Sequence, residues 1–159
     1  MIELSKGELD SIDRQLVGRL MRDGRASWAD LAHELGLTAP AIAQRVRRLQ
    51  DRGVIRHFAA WVDPESVAPV CAMLALRHDA PERRAAFHEE IAGVGAVQEC
   101  HQVTGSDDYV LKVRCASLKE LRELVSDTLP AMPGVSRVRT SVVLSTIKET
   151  PVLPLTDSR

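Results

Sequence analysis

Five arginines, Arg45, Arg47, Arg48, Arg52 and Arg56, fall between Thr38 and His57 against a single acid, Asp51, in a chain of 159 residues with net charge −1. The residue types around them suit contact with double-stranded DNA. Gln44 can pair bidentately with adenine and Arg47 with guanine, both through base edges in the major groove. Ala39, Pro40 and Ala43 are small, so a helix carrying them can approach the bases closely and meet thymine methyls. Arg45 and Arg48 flank that face and suit phosphates, which fix register without specifying sequence. Thr38 is a helix cap, and its hydroxyl or backbone N–H is also a place for a phosphate. The plainer reading of the same charges is a solvated helix face.

The basic character is local. Residues 1–60 hold ten Lys+Arg against eight Asp+Glu, and the remainder eleven against fourteen. That distribution fits a small contact surface better than a nonspecific polycation.

Three helices are expected to position these residues. Leu9, Ile12, Leu16, Val17 and Leu20 recur at helical spacing, and Gly24 ends that helix. Ser27 caps a second helix through Leu31, Ala32 and Leu35, which Gly36 stops. Thr38 caps a third, with Pro40 in its first turn, Ile42, Val46 and Leu49 as its inward stripe, and Gly53 closing it. Gly36-Leu37-Thr38 is then a tight turn between two short helices, the signature of a helix-turn-helix whose second helix can enter the major groove. Val54, Ile55, Phe58 and Trp61 read as an extended exit segment. Arg56 and His57 there are candidates for a backbone-touching wing, while Phe58, Trp61 and the earlier Trp28 are expected to pack into a core.

Beyond Pro64 and Pro69 the texture changes. Strands are expected at 71–78, 96–105, 108–115 and 135–149, and helices at 81–94 and 117–132. The order β-α-β-β-α-β is ferredoxin-like, one antiparallel sheet with two helices on one face. The last strand, apolar on both sides over 138–147, implies that the open face is covered by another subunit. The fold class is therefore α+β: a winged helix-turn-helix domain over 1–60, a linker over 61–70, a ferredoxin-like βαββαβ domain over 71–150 and a tail over 151–159. A dimer through the second half would let two recognition helices read two half-sites about one helical turn apart, which one helix cannot do selectively.

Composition excludes several classes. No apolar run approaches the roughly 18 residues of a membrane span. The start, MIELSKGELD, lacks a basic then apolar leader, so a cytoplasmic location is expected. Cys71, Cys100 and Cys115 are scattered without CxxC spacing, which argues against a disulfide framework. Cys100 and His101 are adjacent, but neighbours on a strand point to opposite faces, so no metal is expected there. No cofactor is expected.

Together "LDSIDRQLVGRLMRDGR", "LAHELGLT", "RVRRLQDRGVI", "CHQVTGSDDYVLKVR" and "LPAMPGVSRVRTSVVLSTIKE" resemble the Lrp/AsnC family of transcriptional regulators, over nearly the whole chain. The resemblance implies a sequence-specific DNA-binding regulator, not an enzyme. It also implies dimers that assemble further, often into octamers, and a small effector, commonly an amino acid. By the same resemblance the effector loop is Thr104, Gly105, Ser106, Asp107, Asp108 and Tyr109, with a second contribution from Thr140 and Ser141. The chemistry is compatible, because a zwitterion needs a carboxylate for its ammonium and donors for its own carboxylate. Asp107 or Asp108 offers the first, and Gly105, Ser106, Thr140 and Ser141 the second. Gly-Ser-Asp-Asp is equally good hairpin-turn chemistry. The loop departs from the family's usual alternation of acids and aromatics, since Ser106 stands in the first acidic place and the two aspartates are adjacent.

The same architecture resembles sirohaem-decarboxylase subunits, so an enzyme is the alternative, with His101 and Arg114 or Arg77 serving a tetrapyrrole carboxylate. A single-strand RNA surface would need exposed aromatics on the central strands, and "DYVLKVRC" has one Tyr.

Overall fold

The computed structural model describes residues 9–155. Residues 1–8 and 156–159 lie outside it, and with them most of the MIELSKGELD segment and the end of the expected tail. The chain divides into two units, one running to Trp61 and resuming at Lys148, the other Val62–Ile147.

In the first unit α1 is Ser11–Arg22, α2 is Trp28–Leu35 and α3 is Ala39–Asp51. Each begins at the residue type that satisfies otherwise orphaned N–H groups. Asp10 accepts from the Asp13 N–H at 2.6 Å, Ser27 from Asp30 at 3.1 Å, and Thr38 from Ala41 at 3.4 Å. Gly36 ends α2 with φ 64°, a left-handed conformation that costs glycine little, and the Leu37 N–H closes on the Ala32 carbonyl at 2.9 Å. Leu37 then turns inward and packs on a core of Leu16, Leu20, Leu31, Ile42, Val46 and Leu49. The aliphatic stripes predicted from spacing are thus the ones buried.

The exit from α3 differs from expectation. Val54 and Ile55 pack on the core, and both their N–H groups go to the Leu49 carbonyl. No strand follows among the described residues of this unit, so Arg56 and His57 sit on irregular chain rather than on a β-wing. Phe58 and Trp61 are exposed, Trp61 by 62%, and Trp28 is also exposed, because the aliphatic side chains already fill this small core. The tail also departs from expectation, since the chain rejoins the first unit at Lys148. Leu155 lies against α1 where a Cβ on Gly18 would come within 3.1 Å of its Cδ1, which accounts for a glycine in mid-helix.

The second unit opens with a short helical turn α4, Pro64–Val67, followed by β1, Val70–His78. A 3₁₀ turn, Pro81–Arg83, leads into α5, Arg84–Ala92. β2 is Val97–Gln102, β3 is Tyr109–Cys115, α6 starts at Leu118, and β4 is Val135–Val142. The sheet order is β2-β3-β1-β4, with every neighbouring pair antiparallel. Alternation along the strands sends Leu74, Leu76, Leu111 and Val113 to one face, where Phe87, Ile91, Leu121 and Leu129 of the helices cover them.

Two elements are shaped by constraints the periodicity does not show. The helix predicted over 117–132 is regular only to Glu123, and a wider π-turn then spans Leu124–Thr128 before a final turn, Leu129–Ala131. Pro130 has no N–H to return to the preceding turn, and the Leu129 N–H instead reaches Leu124. The strand predicted over 135–149 stops at Val142, because β1, its pairing partner, begins at Val70; the Val143 N–H makes the last contact, to the Cys71 carbonyl. Leu144 beyond it is 98% exposed.

Candidate nucleic-acid interface and effector loop

The outward side of α3 carries the expected reading residues. Pro40, Gln44 and Arg47 are exposed, while Ala39 and Ala43 are half-buried, so the helix surface there is low except for the Gln44 and Arg47 side chains. Among the described residues Arg47 makes no ion pair. Thr38 is exposed at the helix start, where the first N–H groups point outward and the helix dipole favours an anion. The arrangement has what major-groove readout needs, two planar hydrogen-bonding groups one turn or less apart on a surface that can come close.

The flanking arginines behave differently. Arg45 is turned to α1, its guanidinium 2.6 Å from Asp13 and 2.8 Å from Asp10. Arg48, more than half exposed, lies 3.8 Å from Asp13, and Arg52 lies 4.0 Å from it. The two residues expected to flank the reading face on equal terms thus divide, Arg45 bracing the helix pair and Arg48 standing at the surface. Asp13 stands far from the basic stretch in the sequence. It was legible only as one more polar residue of the first helix, yet at 2% exposure it is the most buried acid among the described residues of its unit.

Asp10 carries a pH signature. The Asp13 backbone N–H, and then the Arg45 guanidinium, hold its carboxyl below the ordinary value of 3.8. A folded value below the unfolded one means stabilisation that is complete above about pH 3.8 and lost as pH falls through the folded value. The melting temperature is therefore expected to drop below pH 4 with a shallower slope in Asp10→Asn than in the parent. Identical slopes would show that this contact carries no folding free energy.

The effector loop is tied down by arginines from the sheet. Asp107 is buried and paired with Arg139, with Arg137 at 3.5 Å and the Ser106 hydroxyl donating at 3.0 Å. Asp108 accepts the His78 backbone N–H at 2.9 Å and lies 3.9 Å from Arg77, while Arg77 also donates to the Ser106 carbonyl at 2.9 Å. Neither acid is a bare anion waiting for an ammonium group. The charge presented around the loop is cationic, from Arg77, Arg137 and Arg139, which the sequence reading had not placed there. The signal was available, because Arg137 and Arg139 are two apart on a strand and so share a face.

Three expected loop or strand residues are placed apart. Tyr109 is 1% exposed, its ring packed 4.8 Å from Phe87 and its hydroxyl 2.8 Å from His88, so it belongs to the core under the sheet rather than to the loop surface. Thr140 pairs with Leu74 and Ser141 with Met73, which puts the two on opposite faces. Thr104, Gly105 and Ser106 are exposed, with Gly105 at φ 123° and open space where a side chain would be. On β2, Cys100 registers with inward-facing Leu111 and His101 with Val110, so their side chains diverge, and His101 pairs with Glu99 at 3.1 Å. Among the described residues no three metal-ligating groups come together.

Residues 9–50 match the family model of the AsnC-type helix-turn-helix domain, and residues 70–153 that of the Lrp/AsnC ligand binding domain. The leucine-responsive regulatory protein of Haemophilus influenzae is 37% identical over 150 residues, covering 92% of this chain and 90% of that protein. The protein of the same name from Escherichia coli K12 is 34% identical over 145 residues, 89% and 88% of the two chains. Among solved structures, a transcriptional regulator of Neisseria meningitidis in complex with L-Met superposes with a TM-score of 0.84 at 30% identity, covering 92% of this chain and 97% of that one. The leucine response regulatory protein of Mycobacterium tuberculosis gives 0.80 at 34% identity, covering 89% and 96%.

Proposed function

The chain belongs to the Lrp/AsnC family of DNA-binding transcriptional regulators, and on that premise we propose that α3 reads a specific operator while the loop before β3 answers to an amino acid. The observation that carries the DNA half is the pairing of exposed Gln44 and Arg47 on a helix whose other side is braced by a buried acid. We assign base contacts to Gln44 and Arg47, close approach to Ala39, Pro40 and Ala43, and phosphates to Thr38 and Arg48. Arg45 takes part by holding the helix in place.

For the effector, support comes from a structural relative holding L-Met and from the arginine-rimmed loop. Arg77, Arg137 and Arg139 suit an amino acid's carboxylate, with Thr104, Gly105 and Ser106 supplying further donors. Asp107 and Asp108 set the loop's shape. Ser141 lies on the arginine face of the sheet and is the nearer candidate of the β4 pair. The same face carries half-buried Ala75 and Val110 and exposed Met73, and Leu144 and Ile147 are almost wholly exposed beyond it. A second copy of this chain covering that apolar strip would give a dimer and two recognition helices, with higher assembly open to it. A chain that reads DNA in this way works in the cytoplasm of the cell.

The enzyme reading has less behind it. The relatives are named as regulators, and His101 stands on an exposed edge strand paired with Glu99.

Fluorescence anisotropy tests the proposal, using a duplex from just upstream of the coding region and a scrambled duplex at two salt concentrations. Tighter, salt-sensitive binding to the native duplex is expected. Adding amino acids one by one should then shift that affinity, and DNA must shift the effector's affinity by the same factor. Equal weak binding to both duplexes would reduce the basic helix to a solvated face, and affinity indifferent to every amino acid would remove the effector half.

A further inference from the structure

Asp13 is an anion placed where DNA phosphate chemistry is waiting. It is 2% exposed on α1, yet three arginines of the following region of α3 and its cap converge on it: Arg45 at 2.6 Å, Arg48 at 3.8 Å and Arg52 at 4.0 Å. These arginines are three and four residues apart, so they rise along one side of the helix, the side that meets α1. Gln44 and Arg47 lie on the outward side and make no ion pair among the described residues. The buried acid therefore acts on one class of contact only. An arginine that swings to a phosphate must leave Asp13, and one that reads a base edge leaves nothing. Arg48 is the residue where this matters, because its side chain is more than half exposed and its carboxylate contact, at 3.8 Å, is loose.

We propose that Asp13 is an internal competitor for phosphate that restrains Arg48 and Arg52 and so lowers the sequence-independent part of DNA binding, leaving base readout by Gln44 and Arg47 a larger share of the affinity. The inference rests on the assignment of α3 as the reading helix. Phosphate contacts supply nonspecific affinity, roughly 0.9 in the log–log salt slope for each phosphate neutralised. A carboxylate that keeps an arginine partly neutralised in the free protein removes part of that term for every sequence alike.

The experiment compares the full-length protein with Asp13→Asn on native and scrambled duplexes across a salt series. The variant is expected to show a salt slope on the scrambled duplex steeper by about one phosphate, about 0.9, for each recognition helix engaged. At the low-salt end its affinity should rise about threefold on the scrambled and native duplexes alike, with the native-to-scrambled ratio unchanged. Adding Arg48→Ala to Asp13→Asn is expected to return the slope to the parent's. Asp13→Glu keeps the charge and is expected to keep the parent's slope. A merely structural Asp13 gives the opposite pattern, weaker binding to both duplexes with an unchanged or shallower slope, and that result in a variant that melts cooperatively overturns the proposal.

Should the Asn variant fail to fold, Arg45→Met tests the same competition from the other side. With its nearest partner gone, Asp13 acts wholly on Arg48 and Arg52, and the scrambled-duplex slope is expected to become shallower; an unchanged slope overturns the proposal equally. Failure of the reading-helix assignment is separately visible, because Arg47→Ala would then leave native-duplex binding untouched.

Discussion

Replacing Arg47 by alanine is expected to weaken binding to the native duplex by about 1–3 kcal/mol per recognition helix, roughly five- to 150-fold, and to relax the preference at one base pair. The reason is geometric. Arg47 is exposed on the outward side of α3 and makes no ion pair among the described residues, so its planar fork is available to donate to the two acceptors of a guanine. Loss of the fork removes two charge-assisted hydrogen bonds that only one base presents. Lysine is expected to recover part of the affinity but not the discrimination, since an ammonium cannot form the bidentate pair. Binding to a scrambled duplex should change much less, and its salt slope should fall by at most one phosphate. Titration of each variant against duplexes substituted one base pair at a time measures both effects. An Arg47→Ala protein that binds all duplexes like the parent would remove α3 as the reading helix.

Gly134→Ala is expected to be the most damaging single methyl in the second unit. Gly134 begins the approach to β4 with φ 81°, a conformation that L side chains rarely adopt. A Cβ there would sit 2.5 Å from both Cε1 and Nε2 of the His78 ring. The ring has no room to withdraw, because it is buried and packed 5.3 Å from Phe87 and 6.0 Å from Tyr109, centroid to centroid. Backbone strain of about 1 kcal/mol and overpacking of about 1–3 kcal/mol together give about 2–4 kcal/mol. For a unit of this size that corresponds to a fall in melting temperature of roughly 10–20 °C. Adding His78→Ala to the same chain removes the clash, so the double variant should be more stable than the sum of the two single losses predicts. A Gly134→Ala protein melting within a few degrees of the parent would mean that the segment before β4 shifts freely against Asp79 and His78. The effect reaches the effector loop, since the His78 N–H holds Asp108 and Gly134 accepts from the Asp79 N–H at 3.0 Å.

The helix-turn-helix was readable because every device that makes it is local. Caps at Ser27 and Thr38, a left-handed glycine at 36, and apolar residues at i, i+4 and i+7 act within one or two turns of chain. The alternation of β1 and β3 was readable for the same reason. Elements set by a distant partner were not. The end of β4 depends on where β1 begins, some seventy residues earlier, and apolar residues such as Leu144 and Ile147 carry no mark of that limit. The fate of Phe58 and Trp61 depends on whether the aliphatic core has space left, a quantity no window of sequence contains. Tyr109 was placed in the effector loop by the family resemblance, whereas its parity with Leu111 and Val113 on β3 sends it into the core.

What the sequence determined by itself is the order of elements and the residues available for readout, because helical and strand periods, caps and turns are properties of short stretches and fix which side chains share a face. Which charges remain free to act was decided only by the tertiary structure. Arg45 and Arg47 are both cations of one basic stretch, and the sequence offers DNA contacts to each. One is claimed by Asp10 and Asp13 across the helix pair and the other is left to solvent. Asp107 and Asp108 looked like open anions and are instead held by Arg139 and by the His78 backbone. Electrostatic partners are chosen by distance in space, and the distances that matter here join residues about thirty apart in the chain.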